Sequence, residues 1–428
     1  CIRDSPSTRD HLLQQLFQIG IREADEVRQR FPEVQRRVGG YNIDELIPPD
    51  HGVLNPARLL VGSEGTLAFS TSIHLKLQPI PTHKVLGVCH FPSFYEAMDS
   101  TQHLVTLNPD AVELVDRTMI ELARSIPQFE EKLKKFVMGE PDSLLLVEFT
   151  GEELKPLQAK LSELKAMMAS LGFQDAVVEA IDPAFQKEVW DVRKSGLNIM
   201  MSMKGDDKPV SCIEDCAVEL KDLAEYTSRL NHLFEKYGTT GTWYAHASVG
   251  CLHVRPVLNM KKEQGASVMR KITEEAFEIV REYGGSHSGE HGDGLVRSEF
   301  LETMYGTRMV NTFAEVKKLF DPDNLLNPGK IVRPEKMDDR SLFRYSTEYQ
   351  HPEVDTYLDW SPWGGFQRAA EMCNNNGACR KSNPDVMCPS YRVTQDEQHL
   401  TRGRANALRL ALSGQLGKRA LTSKSMYD

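Results

Sequence analysis

Between residues 82 and 332 the chain alternates short apolar runs with longer segments whose apolar residues recur every three or four positions, and few folds accommodate that pattern. Residues 84–91, 143–149 and 176–180 have the length and composition of strands. Residues 154–171, 221–236 and 262–283 carry helical spacing, and Gly284-Gly285 stops the last of them. Strands interleaved with amphipathic helices predict an α+β or α/β domain, and the class expected here is α+β. Residues 1–81 read as a helix over 10–30, then Gly39-Gly40-Tyr41, then an apolar strand at 58–61. That strand enters a turn with Gly62 and Gly65, a β-rich run follows over 71–77, and Pro79 and Pro81 mark a boundary. Residues 333–360 are charged and contain Pro, as a linker would be, and 361–428 read as helical. The expected domains are therefore 1–81, 82–332 and 361–428, with 333–360 joining the last two.

Composition narrows the function classes. The 428 residues are 40% hydrophobic and 26% charged, enough apolar matter for real cores. A net charge of −10 argues against a general nucleic-acid binder, whose footprint is a basic face, but not against a small anionic substrate. No apolar run approaches the roughly 20 residues of a membrane span, and no signal peptide is visible. A start at Cys1 and a stop at Asp428 lead us to expect a piece of a longer chain. Cysteines at 1, 89, 212, 216 and 251 are scattered, like the buried thiols of a reduced, cytoplasmic compartment. Those at 373, 379 and 388 cluster.

Two Gly-broken stretches concentrate the chemistry: Ala245-His246-Ala247-Ser248-Val249-Gly250-Cys251-Leu252-His253 and Ser288-Gly289-Glu290-His291-Gly292-Asp293-Gly294. Imidazole nitrogen and carboxylate oxygen are the usual ligands of a catalytic divalent metal. His246 and His253, seven apart, face opposite sides of an unbroken strand, so they converge only if the chain turns at 248–250. Glu290 is the natural third ligand and His291 a base. Two nitrogens and one oxygen suit zinc first, then manganese or iron. The plainer reading is four separate core or loop residues. Arg193, on a helical stretch opening at Pro183, is either a surface residue or a bidentate partner for a carboxylate. Lys208, after Gly205-Asp206-Asp207, is ordinary by itself, whereas Arg255 beside His253 suits a substrate with a second anionic group. Val61-Gly62-Ser63-Glu64-Gly65-Thr66 offers unencumbered N–H groups and two hydroxyls, fit for a pyrophosphate or a flavin edge, or else is a simple turn. It is not a G-x-G-x-x-G fingerprint. Cys373-x5-Cys379-x8-Cys388-Pro389 is similar to part of an iron–sulfur set, lacking a fourth cysteine.

Taken in order, Gly62-Ser63-Glu64-Gly65-Thr66-Leu67, His246-x6-His253, Glu290-His291-Gly292 and Asp321-Pro322 through Asn327-Pro328-Gly329-Lys330 resemble the flavin-linked 2-hydroxy-acid dehydrogenases of the vanillyl-alcohol-oxidase superfamily. The cysteine module resembles that of large bacterial members fused to an iron–sulfur domain. The resemblance implies that 1–81 is the C-terminal part of an FAD-binding domain, whose other half precedes Cys1. It implies a mixed α/β substrate (cap) domain over 82–332, and over 361–428 the start of a helical ferredoxin-type segment with a 4Fe-4S cluster on Cys373, Cys379 and Cys388.

It further implies His246, His253 and Glu290 as metal ligands, His291 as base, and Arg193 and Lys208, with Arg255, as holders of substrate carboxylates. Gly40, Tyr41, Gly62, Ser63, Glu64, Gly65, Thr66, Leu67 and Asn327 are implied as FAD contacts. The sequence departs from the pattern at three places. Leu197 stands where relatives carry Thr, Arg255 where simpler relatives carry Asn, and His-Ala-Ser-Val-Gly-Cys-Leu-His replaces H-x-G-D-G-N-x-H. The expected reaction is FAD-dependent oxidation of a D-2-hydroxy acid, D-2-hydroxyglutarate foremost, with D-lactate or glycolate as alternatives. The expected partners are that small anionic substrate and a quinone or electron-transfer protein as acceptor. No nucleic acid and no membrane span are expected; a homo-oligomer, or a peripheral place at the inner membrane face, is compatible. The rivals are a metal-dependent hydrolase on the same His/His/Glu centre and a non-catalytic electron-transfer module.

Overall fold

The computed structural model describes residues 8–48, 55–346, 349–350, 353–381 and 388–427. The chain forms two compact units, one of Cys1–Lys194, Val210–Val257 and Ser267–Asp339, the other of Ser195–Pro209, Leu258–Ala266 and Arg340–Asp428.

The first unit is built on an antiparallel sheet. Its strands are β1 (His83–Phe91), β2 (Ala111–Asp116), β3 (Ser143–Gly151) and β4 (Val177–Ala180); β5 (Lys208–Pro209) belongs to the second unit. After it come β6 (Cys216–Ala217), β7 (Gly241–His246) and β8 (Cys251–Leu258). The order runs β4-β1-β3-β2-β7-β8, with β6 on β8. Every one of these pairings is antiparallel. Residues 85–91 of β1 are all buried, so both faces of the sheet are covered and the strand reads as a continuous apolar run rather than an alternating one. Helix Leu154–Ser170 lies close on β1 because Gly87 has no side chain; a Cβ there would stand 2.4 Å from Leu164 Cδ2. That helix turns Leu157, Leu161, Leu164 and Met168 inward, the i, i+4, i+7 spacing of one helical face. Burying each stabilises the fold by roughly 1.5–3 kcal/mol. The N-terminal helix, Thr8–Arg30, buries Leu16, Ile19 and Val27.

Two expectations fail in the N-terminal region. Residues 56–60 form a 3-10 turn opened by Pro56, not a strand at 58–61. Residues 71–77 form no strand, and Ile73, Leu75 and Leu77 are exposed on alternate positions. Their β-propensity is real, but a strand exists only where a neighbour accepts its N–H and C=O groups, and none of the described residues does so.

The second unit is helical, with short helices at Gly196–Met201, Phe366–Glu371, Pro389–Thr394 and Lys424–Tyr427, and a longer one at Thr401–Leu412. At its centre Lys261 donates to Asp206 (2.7 Å) and Glu371 (2.5 Å). Among the described residues of the chain no helix is long and apolar enough to cross a membrane.

Candidate active site

The β7–β8 hairpin brings two of the three histidines together. Its register pairs Tyr244 with His253 and His246 with Cys251, and a 3-10 turn over Ala247–Val249 closes it. Gly250 has φ +67°, and a Cβ there would stand 2.0 Å from Val218 O, so only glycine permits the turn. The turn reverses the chain, and the rings of His246 and His253 meet edge to face at 5.0 Å.

Glu290 arrives from the 286–293 loop, which Ser286 ties to Ala217 in both directions at 2.8 Å. Its Oε1 lies 3.3 Å from His246 Nε2, 3.3 Å from His253 Nε2 and 3.7 Å from His291 Nε2. His291 stacks on His253 with centroids 4.8 Å apart. The structure thus gathers His246, His253, Glu290 and His291 at one point.

What holds the loop there is a residue that sequence reasoning missed. Asp215 is fully buried at φ +88°, and its carboxylate accepts from Glu290 N (3.0 Å), His291 N (2.8 Å), Ser288 Oγ (3.3 Å) and Cys251 Sγ (3.4 Å). No spacing betrayed it, because every donor lies more than thirty positions away in sequence.

Two more carboxylates were missed. Glu113 sits directly across from His246 in the β2–β7 register, and its Oε1 is 2.7 Å from His246 Nδ1. Its other oxygen takes Arg193 Nη2 at 2.6 Å. Glu214 takes Arg255 twice, at 2.5 and 2.7 Å, and lies 3.5 Å from His291 Nδ1. Both guanidiniums rest on the ring of Tyr244, at 5.0 and 5.2 Å, and Arg255 also donates to its hydroxyl at 2.8 Å. Arg193 and Arg255 are therefore engaged by buried carboxylates, yet each keeps one buried donor, Arg193 Nε and Arg255 Nη1, with no partner among the described residues. Lys208 lies in the second unit, where its ammonium donates to Met203 O.

The electrostatics follow from burial and pairing. Burial, then the neighbouring His246 and His291, pushes His253 down to about 2, so its imidazole is neutral. The Glu113 hydrogen bond raises His246 above its usual range. Burial would raise Glu214, but the bonds and charge of Arg255 hold it below the ordinary carboxylate value.

A divalent cation suits this donor set. Three Nε2 atoms face one carboxylate oxygen, and one imidazole is held neutral. Atoms of Asp215, His253, Glu290 and His291 also fall within 4.8 Å of one another. Asp215 already receives four donors, so it serves as a brace.

Beside this cluster the residues of the proposed flavin stretch also meet. Thr66 Oγ1 donates to Ser63 O (2.7 Å) and accepts from Tyr41 (2.6 Å). Gly40 N donates to Asp293 Oδ2 at 2.7 Å, while Glu64 accepts from Asp293 N at 2.6 Å and Gly294 N at 3.0 Å. Asn327 Nδ2 reaches Glu64 O at 2.7 Å, and Leu67 is buried. Lys317, unforeseen, ties the stretch to the 321–330 loop: its ammonium donates to Thr66 O (2.7 Å), Leu326 O (2.7 Å) and Asp321 Oδ2 (2.5 Å). Gly62 and Gly65 take φ +75° and +67°, and a Cβ on Gly65 would meet nothing within 4 Å, so a flat ligand has room to approach the backbone. In the second unit Cys373 and Cys379 are half-buried and Cys388 is buried. A hydrogen bond from Thr401 (3.6 Å) holds the Cys388 thiol down at about 7, which favours the thiolate. Residues 382–387, between the last two cysteines, lie outside the described residues.

Residues 80–331 match the family of FAD linked oxidases, C-terminal domain, and the chain belongs to it. Within that class the D-2-hydroxyglutarate dehydrogenase of Pseudomonas putida is 30% identical over 406 residues, 92% of this chain and 39% of that protein. The Escherichia coli D-2-hydroxyglutarate dehydrogenase is 30% identical over 394 residues, 89% of this chain and 38% of its own. A mitochondrial cytochrome-type D-lactate dehydrogenase of Arabidopsis thaliana is 30% identical over 279 residues, 65% of this chain and 47% of its own. The chain spans about two fifths of the length of the two bacterial relatives.

Proposed function

We propose that the protein oxidises a D-2-hydroxy acid with FAD, and that D-2-hydroxyglutarate is the substrate. The observation that carries this reading is the convergence of three imidazoles on Glu290, flanked by two guanidiniums that each keep an unpaired donor. When bound, a divalent metal on His246, His253 and Glu290 supplies Lewis acidity at the substrate oxygens, and FAD at Gly40-Tyr41, Gly62–Leu67 and Asn327 supplies the hydride acceptor.

The chain's own residues do the rest. Glu214 stands on the Nδ1 side of His291, which leaves Nε2 to take the proton of the 2-hydroxyl. Arg193 Nε and Arg255 Nη1 bind the carboxylates by charge-assisted hydrogen bonds. Two arginines favour a dicarboxylate over D-lactate. His253 and Asp215 are buried, so the inner side of the site is closed to water. Cys373, Cys379 and Cys388 supply three thiolates of a 4Fe-4S cluster, which passes single electrons when present.

The test is dye reduction by the complete protein with D-2-hydroxyglutarate, D-lactate and glycolate, with and without a chelator. Reduction by D-2-hydroxyglutarate that the chelator abolishes is expected. Failure of every 2-hydroxy acid to reduce the flavin overturns the reading, and insensitivity to the chelator removes the metal from it. His291→Ala is expected to slow flavin bleaching by about 100-fold or more.

A further inference from the structure

The sheet places Glu113 opposite His246 by register alone, and no feature of the proposed reaction needs a carboxylate there. Its two oxygens are divided. Oε1 is 2.7 Å from His246 Nδ1, and Oε2 is 2.6 Å from Arg193 Nη2. Glu113, Arg193 and His246 thus form a continuous line that ends at His246 Nε2, 3.3 Å from Glu290. Glu113 and Arg193 are buried, whereas the His246 side chain is 37% exposed and would otherwise be free to turn about its side-chain bonds.

We propose that Glu113 is a positioning residue: by accepting the Nδ1–H of His246 it fixes the tautomer and ring orientation that present Nε2 to a divalent cation, and Arg193 locks its carboxylate in that pose. This rests on the metal reading of the His246/His253/Glu290 centre. Three observations carry it. The hydrogen bond is short and charge-assisted, and it engages the ring nitrogen that faces away from Glu290. Such a partner sets which nitrogen carries the proton and raises the basicity of the other. The carboxylate cannot swing away, since its second oxygen is held by a guanidinium that is itself stacked on Tyr244 at 5.0 Å. Tyr244 pairs with Val115 on β2, two residues beyond Glu113, so one strand pairing aligns the whole line. Arg193 retains its Nε donor, and its service to Glu113 is compatible with binding a substrate carboxylate.

A merely structural role for Glu113, neutralising buried Arg193, predicts something different, and a double variant separates the two. Zinc affinity of the 428-residue chain is measured by competition with a chromophoric chelator, alongside the melting temperature, for the wild type, Glu113→Ala and Glu113→Ala/Arg193→Met. Glu113→Ala is expected to lower zinc affinity about 10- to 100-fold and to lower the melting temperature. The double variant restores the local charge balance, so melting recovers while zinc affinity stays low. Glu113→Gln, which keeps an acceptor for Nδ1–H, retains most of the affinity. Recovery of zinc affinity together with melting in the double variant, or wild-type affinity in Glu113→Ala, overturns the proposal. A wild-type chain with no zinc affinity refutes the metal reading itself, and this inference falls with it.

Discussion

Asp215 carries a prediction whose size is set by the structure. Its carboxylate accepts two backbone N–H groups of the active-site loop, Glu290 N at 3.0 Å and His291 N at 2.8 Å, besides the weaker donors Ser288 Oγ and Cys251 Sγ. Replacing it with Asn keeps the shape and suits φ +88°, since Asn tolerates the left-handed region. The amide oxygen can still take the same two N–H groups if its nitrogen turns toward Cys251. What is lost is charge: each bond falls from about 1.5–3 to about 0.5–1.5 kcal/mol, so Asp215→Asn costs about 2 kcal/mol. Asp215→Ala loses both bonds and strains a residue that remains left-handed, about 4–5 kcal/mol in all. For a folded unit of this size that is a fall in melting temperature of about 4 °C for Asn and 8–10 °C for Ala, at roughly 2 °C per kcal/mol. Differential scanning calorimetry of the two variants at neutral pH measures both shifts. Equal shifts, or an Asp215→Ala protein melting within about 1 °C of wild type, would refute the assignment of Asp215 as the brace of the Glu290–His291 loop.

Three further outcomes are expected. Burial holds buried His90 below its ordinary 6.5, and its Nε2 accepts Met138 N at 3.0 Å, which a protonated ring cannot do. Below pH 6.5 the unfolded chain therefore binds a proton that the folded state refuses, and stability is lost as pH falls by at most about 1.4 kcal/mol per unit from this group. Urea melts at pH 7.5 and 5.5 should show His90→Gln flattening that slope; an unchanged slope contradicts it. Gly250→Ala meets both a left-handed φ and Val218 O at 2.0 Å, whereas Gly284→Ala meets φ +62° and open space. Chemical denaturation should give about 2–4 kcal/mol for the first and about 1 for the second, and the reverse order would discredit the hairpin geometry. Lys317→Met removes the cation paired with buried Asp321, leaving its carboxylate only the N–H groups of Leu325 and Leu326, and takes the donor from two carbonyls; a loss of about 3 kcal/mol is expected, and a loss under 1 would show that the ammonium is not the tie between 66 and 321–326.

Much of the fold was legible because long amphipathic segments announce their own geometry. Helices expected at 10–30, 154–171, 221–236 and 262–283 occur at Thr8–Arg30, Leu154–Ser170, Leu223–Lys236 and Glu263–Glu282. Strands β1, β3 and β4 stood out as apolar runs for the same reason. β7 and β8 did not, since Tyr244, His246, His253 and Arg255 interrupt the apolar pattern; they are tolerated there because they face one another and buried carboxylates instead of an apolar layer. The run 71–77 misled in the opposite sense. Its residues suit a strand, but pairing is a property of two segments and no single stretch encodes it.

The site divides along the same line. His246, His253, Glu290 and His291 stood out in the sequence as candidates, because Gly-broken segments rich in metal-ligating residue types are chemically conspicuous wherever they occur, and the structure gathers them. Glu113, Glu214, Asp215, Tyr244 and Lys317 look like ordinary residues until the β2–β7 register and the 286–293 loop set them against their partners. The arginines show the difference most sharply. The sequence by itself showed that Arg255 is a cation two residues from His253, and left Arg193 either a surface residue or a partner for a carboxylate. Only the tertiary structure decided that each is shared with a buried carboxylate, because a charge removed from water must be paired within a few ångströms, and such distances exist only once distant segments have packed.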